Sequence, residues 1–212
     1  MFSHRVTHYP AFGKGPDVRA LLEERVKSGQ ASGIRAGLSS HLLGADGQAF
    51  VMTVIHPDLA AYDKRRRGNA ADPGFRAYQT KLAEVIRKPN SQELFEVLVA
   101  APPSAESATF IVRNIHYPVP GKNLDLRALL EERVKSRQAQ GARVNLSVQL
   151  FGSDGVSYVL SVRHPDLAAY EKYRQDTLGD RPENRAYQAK LGELQRATRQ
   201  ELFEILIPVP SD

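Results

Sequence analysis

The sequence predicts an α+β protein made of two copies of one unit, each reading β-α-β-β-α-α-β. Three observations carry this. RALLEERVKS stands at 19–28 and again at 127–136. HPDLAAY stands at 56–62 and again at 164–170, with the same offset of 108. Within each copy, apolar residues switch between helical and strand-like spacing in a fixed order. A repeat of this length is a domain and not a solenoid turn. The expected organisation is therefore unit 1 over 1–100, a Pro-, Ser- and Ala-rich linker over 101–108, and unit 2 over 109–212.

The elements follow in order. His4–Pro10 and Phe110–Pro118 are rich in β-formers and stop at Pro, so each reads as a strand. Asp17 and Asp125 are the expected caps of the next helix. Val18, Leu21, Leu22 and Val26 give it one apolar face, and Gly33 and Gly141 stand where it would stop. Ile34–Leu43 and Ala142–Phe151 alternate with period two. GADG at 44–47 and GSDG at 152–155 carry Asp-Gly hairpin signals, and Gln48–Ile55 and Val156–Arg163 are the return strands. His-Pro-Asp opens a helix, and a second helix begins near Pro73 or Pro182. Glu93–Val99 and Glu201–Ile207 close each unit.

This order is the split βαβ, or ferredoxin-like, plan with its second helix broken in two. Parity assigns the faces. Phe50, Met52 and Val54, with Ile34, Ala36, Leu38 and Leu42, are expected beneath the helices, as are Tyr158, Leu160 and Val162. Phe95, Val97 and Val99 are placed with them. The other face then carries Arg5, Tyr9, Arg35, Ser39, His41, Thr53, Ile55 and Glu96, and in the second copy Arg113, Tyr117, Arg143, Asn145, Ser147, Gln149, Arg163 and Glu204. A sheet with one bare face needs a partner, and the second copy supplies one. Two such sheets packed face to face make an intrachain α/β barrel, a pseudo-dimer within one chain.

Composition excludes several functions. The chain has 212 residues, 42% hydrophobic and 25% charged, with no Cys and no Trp. Disulfides, thiol nucleophiles, thiolate metal sites and iron–sulfur clusters are out. No apolar run approaches the roughly 18 residues of a membrane span. The start of the chain lacks a secretory signal, so the expected address is cytoplasmic. The net charge of +5 is spread along the chain, and the one like-charged run, Lys64–Arg67, suits a solvated helix face. No dinucleotide, P-loop or serine-elbow string occurs. Nucleic acid is not an expected partner, because Tyr9 and Tyr117 alone do not form an RNA-stacking surface.

The β-α-β-β-α-α-β order, together with segments such as HPDLAAYEKYRQ, resembles the dimeric α/β-barrel superfamily, and within it the NIPSNAP-like group. The repeat resembles that family's dimer fused into one chain. Relatives of this fold include cofactor-free monooxygenases, haem-dependent peroxidases, muconolactone isomerase and stress-response proteins, so the resemblance implies a fold more strongly than a reaction.

Three places suit chemistry. His8 and His56, with Tyr62 and their copies His116, His164 and Tyr170, are the first. With strands one and three taken as parallel neighbours, both imidazoles fall at one end of the sheet, where two His and a Tyr suit a proton relay. The alternative is a strand-to-helix junction with a packed histidine. No metal is expected, because a third ligand is lacking: Asp58 and Asp166 belong to the helix cap. The second place is the polar barrel interior. There Arg5, Arg35, Arg113 and Arg143 outnumber Glu96 and Glu204 and suit an anionic ligand, or else form ion pairs that join the sheets. The third is a pocket between sheet and helices, lined by Val18, Leu22, Phe50, Met52, Tyr78 and Leu82; the same residues suit an ordinary core. The expected function is small-molecule binding or interaction of the NIPSNAP-like type, without a cofactor. The alternative is a cofactor-free monooxygenase or isomerase acting on a small anionic or aromatic substrate.

Overall fold

The structure, a computed structural model, describes residues 1–43, 47–103, 107–152, 155–178 and 182–210. The first copy runs β1 (Phe2–His8), α1 (Gly15–Ala31), β2 (Ala36–Leu43), β3 (Ala49–His56), α2 (Leu59–Ala71), α3 (Pro73–Ala83) and β4 (Ser91–Val99). The second runs β5 (Phe110–Pro118), α4 (Asn123–Ala139), β6 (Val144–Phe151), β7 (Tyr158–His164), α5 (Leu167–Leu178), α6 (Pro182–Leu194) and β8 (Gln195–Ile207). The strands follow the order β1-β3-β2-β8-β5-β7-β6-β4 and close into a barrel. The central residues of both Asp-Gly turns and of the expected linker lie outside the described residues.

Each helix start and stop has a local cause. α1 and α4 end in the same way: Gly33 and Gly141 take φ of +77° and +85°, the left-handed region that glycine enters without a Cβ penalty. The amide of Ile34 then reaches the Gly29 carbonyl, and that of Ala142 the Arg137 carbonyl, which closes a Schellman turn in both copies. Asp17 and Asp125 do not cap these helices. The cap positions are Lys14 and Lys122, and each Asp lies in the first turn and accepts from that lysine. Asp58 caps α2 through the Ala61 amide at 2.7 Å, and Asp166 does the same for the Ala169 amide. Asp72 caps α3, whose first residue is Pro73.

Two compact units emerge, and their borders fall inside strands. Unit 1 holds Met1–Glu96 and the chain from Ile205 onward; unit 2 holds Val97–Glu204. The physical reason is apolar burial. Leu206 and Ile207 pack on the unit 1 core, and Leu98 and Val99 on the unit 2 core. Gln30 fastens the returning end of unit 1, donating to the carbonyls of Ala36 and Pro208. Gln138 does the same in unit 2 with Val144 and Ala100. Gly37 permits the approach on β2, because a Cβ there would meet Val209 at 2.7 Å.

The unit 1 core packs Val18, Leu22 and Val26 of α1 and Leu82 of α3 against Ala36, Leu38, Phe50 and Val54. These residues are at most 2% exposed. Met52 and Tyr78 pack against them, so the residues of the third expected site form the unit 1 core cluster. Unit 2 repeats the arrangement with Leu126, Leu130 and Val134 against Leu146, Leu160 and Val162. Leu42, expected inward, is exposed near the end of β2.

Two expectations about the sheet are overturned. β1 pairs with β3 antiparallel, not parallel, with Phe2 opposite His56 and His8 opposite Phe50. The parity of β4 is also reversed. Its register against β1 sets Glu93 opposite Arg5, Phe95 opposite Ser3 and Glu96 opposite Phe2. Leu94 and Phe95 are both buried, so apolar character alone could not choose the face. The same shift in unit 2 sets Glu201 opposite Arg113 and Glu204 opposite Phe110.

Candidate functional site

The antiparallel register separates His8 from His56 and brings a different histidine to His56. His4 and His56 lie on one face of neighbouring strands, with ring centroids 6.5 Å apart. Tyr62, one turn into α2, sits edge-on to both, at 5.2 Å from His4 and 5.5 Å from His56. The His4 Nε2 lies 3.2 Å from the Gln92 amide oxygen on β4. The His56 Nε2 is buried and has no hydrogen-bond partner. An unsatisfied buried polar atom costs free energy unless a ligand or water completes it.

Burial, then the positive charge of Arg65 and the neighbouring His4, lower the His56 pKa to about 4, against a smaller opposing pull from Asp58. Burial also lowers that of His4, and Arg65 adds to the effect. Both imidazoles are therefore neutral at neutral pH. Arg65 comes from the Lys64–Arg67 run, but it is half-buried, whereas Arg66 and Arg67 are exposed and pair with Asp63. A neutral imidazole with a free ring nitrogen can accept a hydrogen bond or a proton from a small hydroxylated or acidic molecule. Among the described residues no group of three His, Asp or Glu side chains could hold a metal ion.

The second copy builds this place differently. His164 keeps its position and its unpartnered Nε2. Its ring neighbours are Tyr170 at 5.5 Å and Tyr173 at 5.3 Å. Val112 stands where unit 1 has His4, and Tyr173 where it has Arg65. Tyr170 donates to Gln200, which itself donates to Asn114.

His8 lies at the other end of β1, 1% exposed, with neither ring nitrogen hydrogen-bonded. Burial lowers its pKa to about 4, with a weaker raising effect from Asn90. His116 holds Gln195 at 2.7 Å. Both are buried and lie at the opposite strand ends from His56 and His164.

The expected anion site also resolves within each unit. Arg5 meets Glu93 at 3.4 Å, and Arg113 meets Glu201 at 3.0 Å. Glu96 and Glu204 lie on the opposite face of their strands and are not the partners. Each arginine also lies 6.0 Å from a ring, Phe95 or Phe203. Arg35 donates to the Pro210 carbonyl, and Arg143 is half-buried just before β6. Arg5 and Arg113 thus each stand in an ion pair with the neighbouring strand.

Sequence reasoning missed His4 and Arg65. His4 was one of several alternating polar residues on β1, and only strand direction distinguishes it from His8. Arg65 was hidden in a charge run whose other members are solvated.

An α+β closed barrel of eight antiparallel strands, with helices on the sheet, is the fold of the dimeric α/β-barrel proteins. Comparison with solved structures agrees. A protein from Fusobacterium nucleatum subsp. nucleatum, proposed to be a monooxygenase, superposes with a TM-score of 0.76 at 10% identity, over 99% of this chain and 94% of that one. A second protein proposed to be a monooxygenase, from Lactobacillus acidophilus, gives 0.70 at 9% identity over 98% and 95%. An anthrone oxidase-like protein gives 0.64 at 15% identity over 97% and 91%. Identities this low show the fold alone. No family model and no curated protein matches the sequence. Among the described residues no helix is long and apolar enough to cross a membrane.

Proposed function

We propose that the chain is a small-molecule-binding protein of the dimeric α/β-barrel type, NIPSNAP-like in character, that takes its ligand at the His4–His56–Tyr62 cluster. The observation that carries this reading is the His56 Nε2, buried and unpartnered beside two aromatic rings. A hydroxyl or acid group on a small planar molecule would complete it. Arg65 supports an anionic or electron-rich ligand.

A second reading, a cofactor-free monooxygenase or isomerase, draws on the same nitrogen. A neutral imidazole with a pKa of about 4 is a weak base, suited to a substrate whose own proton is acidic. The names of the superposed proteins lean the same way.

A thermal-shift screen of small phenols and aromatic acids tests the site, since a ligand of the native state raises Tm. Binding that is lost in His56→Asn and weakened in His4→Val supports it. A hit bound equally by both variants and the parent chain refutes it. Oxygen uptake or product formation with the same hit, absent in His56→Asn, would establish the enzymatic reading.

A further inference from the structure

Unit 2 carries a groove of about 500 Å³ between the end of α4 and the start of α5. Its lining includes Arg137, Gln140, Lys172, Tyr173 and Asp176. Arg137 is unusual. It is only 7% exposed, yet every partner it has is neutral. Its Nη1 donates to Gln140 at 3.1 Å, and its Nη2 reaches Asn184 Oδ1 at 3.5 Å. That same oxygen already accepts from Arg133 at 2.9 Å. The guanidinium lies 5.8 Å from the Tyr173 ring centre, and its Nε has no partner. No carboxylate among the described residues pairs with it. A buried cation held only by neutral groups is costly, and an anion that reaches it offsets that cost.

From this we infer that the groove binds the carboxylate of a small aromatic acid. A guanidinium in a groove wall takes a carboxylate more readily than a neutral group, by charge-assisted hydrogen bonding. The hydrogen-bond partners of Arg137, Gln140 and Asn184, are both neutral and leave its charge uncompensated. Lys172 supplies a second cation, and Tyr173 a flat wall. A planar monoanion suits the flat Tyr173 wall better than a tetrahedral phosphate. The first copy lacks this chemistry: Gly29 and Gly68 stand where unit 2 has Arg137 and Asp176. The groove is separate from the His4–His56–Tyr62 cluster, so the two sites can fail independently.

Isothermal titration of the full chain with benzoate tests this, with benzamide and inorganic phosphate as controls. Benzoate is expected to bind, benzamide not, and phosphate more weakly. Arg137→Met should weaken benzoate about tenfold or more, as loss of a charge-assisted contact implies. Lys172→Ala, at an exposed position that does not endanger folding, should weaken it by a smaller factor. Lys64→Ala, the same position in unit 1, should leave it unchanged. Absence of benzoate binding overturns the inference, as does binding that both Arg137→Met and Lys172→Ala retain. Binding that His56→Asn abolishes and Arg137→Met leaves intact also overturns it, and assigns the anion to the other cluster.

Discussion

Unit 1 and unit 2 share an element order, a helix string and a Schellman stop, yet they differ where chemistry is concentrated. The shared residues are those that face the core or end a helix: Leu22 and Leu130, Gly33 and Gly141, Gln30 and Gln138. The differing residues sit on the same scaffold and change what it can bind. Unit 1 has His4 and Arg65 beside its strand-end histidine; unit 2 has Val112 and Tyr173, and adds Arg137 on α4. These three exchanges change the chemistry around the strand-end histidine and the end of the first helix without altering the backbone plan. A fold of this kind separates the residues that hold it together from those that give it a site.

The buried ion pairs offer the strongest way to break the comparison. Arg113 and Glu201 are both 7% exposed at the side chain, whereas Glu93 in unit 1 is 21% exposed. Glu201 also accepts from Arg199 at 2.9 Å. Glu201→Ala is expected to cost about 4 kcal/mol, because a buried cation loses the carboxylate facing it. Glu93→Ala should cost about 1 kcal/mol, nearer the value for a solvated pair. Urea unfolding of both variants checks this, and equal costs would show that the two units hold their arginines alike.

Leu22→Ala and Leu130→Ala come next. Both parents are 0% exposed in matching positions. Each should lose about 3 kcal/mol by the same measurement. A large inequality would mean that one core relaxes around the cavity and the other does not.

Acid should act through the buried His8 of unit 1. His8 stays neutral in the folded chain down to about pH 4, whereas an unfolded histidine takes a proton near pH 6.5. Between these values the unfolded state binds more protons, so stability falls as pH falls. The loss from His8 should approach about 3 kcal/mol near pH 4. His8→Leu should flatten this limb of a stability–pH curve built from urea unfolding, and an unchanged slope would show that His8 titrates alike in the folded and unfolded chain.

The smallest expected effect is the surface pair on each first helix. Arg19–Glu23 and Arg127–Glu131 both measure 2.7 Å on an exposed face. Arg19→Ala and Arg127→Ala should each cost about 0.4 kcal/mol, less in high salt.

Much of this molecule could be read before its structure. The 108-residue repeat, the helix stops at Gly33 and Gly141 and the core faces of β2, β3 and β7 all follow from short-range rules. Periodicity, glycine and proline act within a few residues of chain, so local sequence carries them. The face of β4 did not follow, because Leu94 and Phe95 are both apolar and both buried. The site did not follow either. His4 and His8 have the same parity, and only strand direction decides which one meets His56.

The sequence by itself determined two copies of one α+β unit, their element order, and the exclusion of thiol chemistry. Those conclusions rest on composition, identity between segments and local periodicity. Tertiary structure alone decided the antiparallel register of β1 with β3, the pairing of Arg5 with Glu93 in place of Glu96, and the packing of each copy's final residues on the core that its first residues do not belong to. These depend on hydrogen bonds and apolar burial between residues far apart in the chain, where no local pattern specifies the partner.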